Sequence, residues 1–383
     1  MLEFSVSNSR DGKMLMPQEV FEERVRKLQK SLVENGIECA IIRTQSDFKY
    51  LVGAKWLRPS LLVPAEGSPI ALIAKGEEDG FLERVKLKKL EVVTYVEGGD
   101  LMGKVSALVR SLGSKRVGMV FGVERDSYVL FYEMFKRANR SVEVVDISRI
   151  LGEMRAIKES FELDAISRAS DISSRVLEKA ISSVSEGVSE TDIAAEAYYL
   201  AYKLGSEEPH VYVNAGPHPR VHSEPSREVR VRKNTFVTVV VGSDFNGYYA
   251  NTSASTFIGS KTEEVDNALK CVREVYEVAK DLTKPGTKFT QVISHLDTVY
   301  TKYGLLDKRL VGYLHGVGLQ VEEYPITTIV PAHRAAEPRR GMVLALVHSP
   351  LVMRGYGTLK LEDTFIVAED GLRPLTRAWE LME

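Results

Sequence analysis

The chain has 383 residues, 44% of them hydrophobic and 27% charged, which is enough for two domains with full cores. Its formal net charge of -2 gives no electrostatic basis for binding nucleic acid or an anionic membrane. No apolar run approaches the ~20 residues of a membrane helix, and the opening MLEFSVSNSRDGK lacks the basic-then-apolar order of a signal peptide. The two cysteines, Cys39 and Cys271, stand far apart in sequence and read as buried thiols, so a cytoplasmic protein is expected.

Residues 18–35 carry Val20, Phe21, Val25, Leu28 and Leu32 at helical spacing, and Gly36 follows as a stop. Short β-branched runs then recur at 37–43, 60–64, 69–74, 90–96, 115–121 and 141–147, separated by helical or turn-rich segments. That alternation predicts an α/β domain over residues 1–150. The pair Gly98-Gly99 ahead of a helix is too little for a phosphate loop.

From Leu151 the texture changes. Helices are predicted over 158–184 and 189–204, the second with Ser189 as N-cap and Asp192 completing a near capping box. Strands are predicted over 209–215, 236–242 and 247–258, helices over 262–282 and 289–303, and strands over 310–317, 342–349 and 357–368. The order helix pair, strands, helix pair, strands predicts an α+β domain of two similar halves over 151–383. The basic stretch REVRVRK (227–233) alternates Arg with Val and predicts a half-exposed strand.

The segments 154–173 and 186–197, then HGVGLQVEEYP (315–325), RRGMVLALVHSP (339–350) and LKLEDTFIV (359–367), resemble in order the catalytic domain of the M24 metallopeptidases. These are the Xaa-Pro dipeptidase, aminopeptidase P and creatinase relatives. The resemblance implies a creatinase-like α/β N-terminal domain followed by an α+β pita-bread domain, and a homodimer. It also implies a site in which two divalent metals are held by two hairpin Asp residues, one His and two Glu.

Matched to that pattern position by position, the second hairpin acid falls on Asn251, and eleven residues earlier the first falls on Val240. The His falls on His315, one Glu on Val347 and the last on Glu362, with Lys360 where the family has Arg. A family His on the substrate side matches His222, and another matches Glu322. Ser253 and Ala254 stand in the places of a Thr and an Arg.

Valine offers no lone pair to a cation. Two dications ~3.5 Å apart repel by roughly 19 kcal/mol at an effective dielectric of ~20, and one carboxylate does not offset that. Loss of two-metal catalysis is therefore expected, with no cofactor and a cleft that binds a peptide or protein. One alternative is an active Xaa-Pro peptidase with a single divalent metal (Mn, Co or Zn) held by His315, Glu362 and Asn251, with Glu322 within reach. The other is a metal-independent, creatinase-like hydrolase in which His222, His315 and Glu362 carry acid/base chemistry.

Overall fold

The computed structural model describes residues 17–382 apart from 123, 125 and 348. The opening segment read for a targeting signal therefore lies outside the described residues. The chain forms two compact units that divide after Arg155. The boundary expected after residue 150 falls inside a continuous helix, Ser148–Ala156.

The N-terminal unit opens with α1 (Gln18–Glu34), which buries Phe21, Val25, Leu28 and Leu32 along one stripe. Each such side chain contributes about 1.5–3 kcal/mol. There follow β1 (Cys39–Ile42), α2 (Gln45–Val52), β2 (Leu61–Pro64), β3 (Ile70–Ala74), α3 (Glu78–Arg84) and β4 (Glu91–Tyr95). Then come α4 (Gly98–Ser111), β5 (Arg116–Met119), α5 (Asp126–Ala138), β6 (Glu143–Asp146) and α6 (Ser148–Ala156). The six strands form one mixed sheet in the order β4-β3-β2-β1-β5-β6. β1, β5 and β6 run parallel, whereas β2 is antiparallel to both β1 and β3. All four residues of β1 and of β2 are buried, as expected for central strands covered on both faces.

The C-terminal unit starts with α7 (Ser160–Ser182) and α8 (Glu190–Leu204). The capping box at Ser189 and Asp192 forms as its residue types require, and Gly205 at φ 101° ends α8. Next are β7 (His210–Ala215), β8 (Thr235–Phe245) and β9 (Tyr248–Ile258), which make a three-stranded antiparallel sheet. Asn246 and Gly247, both at positive φ, supply the two-residue turn that a twisted hairpin favours. α9 (Glu263–Leu282), α10 (Phe289–Lys302), β10 (Leu314–Gly316), β11 (Glu323–Ile326) and β12 (Val343–Leu346) follow. The unit ends with β13 (Leu351–Met353), β14 (Gly357–Leu359), β15 (Asp363–Val367) and β16 (Leu372–Pro374). Its second main sheet runs β11-β10-β12-β15-β16, and β13 pairs with β14.

Three local expectations fail, and one is the strand expected over 357–368, which is two: β14 pairs with β13, and β15 lies in the second main sheet. The stretch 227–233 is no strand: it makes a single bridge, Ser189 with Arg230, although Val231 is buried and Arg227, Arg230 and Arg232 are exposed as alternation requires. Alternation without a continuous pairing edge yields a half-buried loop. The strand expected over 310–317 shrinks to three residues, with Gly312 at φ 88° just before it. Among the described residues no helix is long and apolar enough to cross a membrane.

Candidate functional site

The hairpin β8–β9 and the chain entering β15 build the site together. In the hairpin register Val240 faces Ser253 and Gly242 faces Asn251. Cross-strand partners and i, i+2 neighbours share a sheet face, so these four residues lie on one face. The chain before β15 is held against β9 by paired backbone bonds between Ser253 and Glu362, 2.9 Å in each direction. Asn251 is fixed by Thr364, whose hydroxyl donates to the Asn251 carbonyl at 2.6 Å and accepts from its N–H at 3.0 Å. Ser255 similarly brackets the backbone of Lys360, accepting from its N–H at 2.8 Å and donating to its carbonyl at 3.0 Å.

This framework brings four polar side chains into one buried cluster. His315 Nε2 lies 3.3 Å from Glu362 Oε1, and Asn251 Nδ2 donates to the same oxygen at 3.4 Å. Lys360 Nζ sits 2.8 Å from Glu362 Oε2, a close ion-pair contact outside good hydrogen-bond geometry. His315, Glu362, Asn251 and Lys360 are each at most 2% exposed. On its outer side Lys360 Nζ reaches His222 Nε2 at 3.0 Å. An ammonium can only donate, so Nε2 of His222 accepts and its proton sits on Nδ1. The cluster therefore reads His222, Lys360, Glu362, His315, with Asn251 beside the last two.

Burial drives the His315 pKa down, but the hydrogen bond to Glu362, the charges of Glu322 and Glu362, and the Gly316 carbonyl outweigh it and raise the pKa above its ordinary value. The half-buried Glu322 is near enough to act on both His315 and Tyr212, whose ring lies 6.1 Å from that of His222. Its neighbour Glu323 turns the other way and forms a buried pair with Lys158 at 2.7 Å.

The remaining matched positions are apolar. Val240 and Val347 are 4% and 3% exposed. Val347 also stands at φ 62°, a left-handed conformation that a β-branched residue rarely adopts. Asn251 Oδ1 and Ser253 Oγ are buried without a hydrogen-bond partner. Among the described residues no three His, Cys, Asp or Glu side chains gather so that they could hold a metal ion. His222, expected as a substrate-side or acid/base group, lies at the outer side of this cluster, with Nε2 against Lys360. Asp244, the one charge of the hairpin, is buried and bonded to Ser206 Oγ and to the N–H groups of Glu207 and Glu208 at 2.7–2.8 Å, far from any chemical role.

Sequence reasoning undervalued Lys360. The signal was present: residues 360 and 362 are two apart in an extended segment, so their side chains share a face.

The family model for metallopeptidase family M24 matches residues 164–369, and that for the creatinase/prolidase N-terminal domain matches residues 24–157. The chain belongs to metallopeptidase family M24. An Xaa-Pro dipeptidase of Pyrococcus furiosus is 23% identical over 358 residues, 93% of this chain and 98% of that protein. One from Pyrococcus horikoshii is 24% identical over 368 residues, 94% and 98%. Among solved structures, the prolidase from Pyrococcus horikoshii superposes with a TM-score of 0.82 at 22% identity, covering 93% of this chain and 98% of that one. The Xaa-Pro dipeptidase from Bacillus anthracis gives 0.81 at 19% identity, with 93% and 98% covered. The fold is thus the creatinase N-terminal domain followed by the M24 pita-bread domain.

Proposed function

We propose that this M24 protein, related to Xaa-Pro dipeptidases, binds a peptide or protein at the His222–Tyr212–Glu322 edge and does not cleave it by two-metal hydrolysis. One observation carries this reading: the ammonium of Lys360, 2.8 Å from Glu362. Glu362 is the one carboxylate among the five positions matched to family metal ligands, and a fixed positive charge already neutralises it. A dication placed ~4 Å from that ammonium would be repelled by roughly 8 kcal/mol at an effective dielectric of ~20. Val240 and Val347 supply no donor, and Asn251 supplies no charge. The residues present do not fit the two-metal group, and no hydrolytic step is derived through it.

Cytoplasmic location and a homodimer complete the proposal. The two cysteines that motivate the first are free and buried, and burial pushes their thiols up to about 11 for Cys39 and about 12 for Cys271.

The test is elemental analysis of the purified full chain, together with hydrolysis of Xaa-Pro dipeptides in added Mn, Co or Zn and titration calorimetry with the same peptides. The expected result is substoichiometric metal and no turnover. Peptide binding should weaken in Tyr212→Ala. Stoichiometric metal with turnover overturns the reading in favour of a single-metal peptidase at His315, Glu362 and Asn251. Turnover in chelator that His222→Ala abolishes overturns it in favour of metal-independent hydrolysis.

A further inference from the structure

The N-terminal unit contains a half-buried arginine, Arg43, that has no ion pair among the described residues. Arg43 follows β1, and its guanidinium lies 4.5 Å from the centroid of the Phe131 ring. Its Nε and Nη1 are buried and make no hydrogen bond. Tyr128, 6% exposed, has a buried hydroxyl that is likewise without a partner. Both residues line the same cavity of about 30 Å³, together with Thr44, Arg58, Glu124 and Ser127.

The described carboxylates nearby are hydrogen-bonded to other groups. Asp47 is paired with Arg155 at 2.8 Å and accepts from Thr44 Oγ1 at 2.6 Å. Asp146 accepts from the N–H groups of Phe121 and Ser148 at 3.3 and 2.9 Å. Glu124 caps the start of α2, where it accepts from the Gln45 N–H and from both the N–H and the hydroxyl of Ser46.

An arginine keeps its charge, and a half-buried guanidinium with two buried, unbonded nitrogens favours a counter-ion on that side. Water in the cavity would satisfy the N–H and O–H groups but would leave the charge. We propose that this cavity is a binding site for a small monovalent anion, held by Arg43 Nε and Nη1 and by the Tyr128 hydroxyl, with exposed Arg58 offsetting Glu124 at the rim. The volume sets the ligand class. A cavity needs ~10–15 Å³ to hold one water, so this one takes a halide or a single carboxylate group and is too small for a phosphate ester. Burial lowers the Arg43 pKa, which is the electrostatic cost that a bound anion would relieve. The site is separate from the M24 polar cluster, and its test is independent of peptide binding.

The test is the excess ³⁵Cl linewidth of sodium chloride solutions containing the full-length protein, with sodium bromide and sodium acetate as competitors. The expected result is excess broadening that bromide titrates away, that Arg43→Met removes, and that Tyr128→Phe weakens about tenfold, the loss of one hydrogen bond to a charged ligand. Competition by acetate at equal concentration would assign the site to carboxylate groups as well as halides. Absence of excess broadening overturns the proposal, as does broadening unchanged in Arg43→Met. If Arg43→Met does not fold by circular dichroism, Tyr128→Phe alone decides, because it removes only one hydroxyl: unchanged broadening in that variant overturns the proposal.

Discussion

Glu362 and Asp363 are adjacent, fully buried carboxylates where the chain enters β15, and the protein treats them in opposite ways. Asp363 is surrounded by neutral donors. Its Oδ1 accepts from Thr376 at 2.5 Å, the Ala378 N–H at 2.7 Å and Thr252 at 3.2 Å, and its Oδ2 accepts from Tyr276 at 2.8 Å and the Trp379 N–H at 3.1 Å. Glu362 meets a lysine at 2.8 Å, a histidine at 3.3 Å and an amide at 3.4 Å. The first arrangement is directional and ties β9, β15, α9 and the C-terminal turn together. The second is a balance of charges with loose geometry. Fully satisfied buried networks of the first kind rigidify and specify structure, whereas a buried ion pair with poor geometry adds little net stability and is costly to break.

The difference can be broken most severely at Asp363. Asp363→Ala leaves five donors unpaired and should cost about 4 kcal/mol, read as a drop in the urea midpoint at unchanged slope. Lys360→Met strands the Glu362 carboxylate and should cost about 3 kcal/mol. The double variant Lys360→Met/Glu362→Gln should regain about 2 kcal/mol of that, and a double-mutant cycle with no coupling would show that the pair is not a charge balance.

His315 gives a smaller, pH-dependent effect. Its folded-state pKa is raised, so its stabilising contribution is complete below about pH 6.5 and is lost as pH rises through the folded value. The wild type should therefore lose stability with rising pH above about 6.5, and His315→Gln should flatten that slope; an identical slope in the variant would remove His315 from the balance. Thr376→Val removes one of five donors to Asp363 and should cost only about 1 kcal/mol in thermal unfolding.

The helices and strands were legible where periodicity was long. α1, α8 and the β8–β9 hairpin each carry a cap, a stop or an Asn-Gly turn in addition to their pattern. Spacing singled out Val240, Asn251, His315, Val347 and Glu362, and the structure brings Asn251, His315 and Glu362 into contact. What spacing could not give was the partnership across the site. Lys360 and His222 are 138 residues apart, and their contact depends on a loop in which His222 adopts φ 49°. The Arg227–Lys233 stretch misled because alternation reports which side chains are buried, and pairing needs a neighbouring edge. Glu322 and Glu323 looked alike in sequence, yet only the structure separates the half-buried one near His315 from the one locked to Lys158.

Val347 bears on which residues its position accepts. A valine held at φ 62° occupies a backbone conformation that costs of the order of 1–3 kcal/mol and that its own side chain disfavours. The conformation is therefore not one that the valine itself favours, and it follows directly on the paired strand β12, which ends at Leu346. Saturation mutagenesis at this one codon should therefore favour residues that tolerate positive φ, Gly and Asn first, over the β-branched residue that stands there.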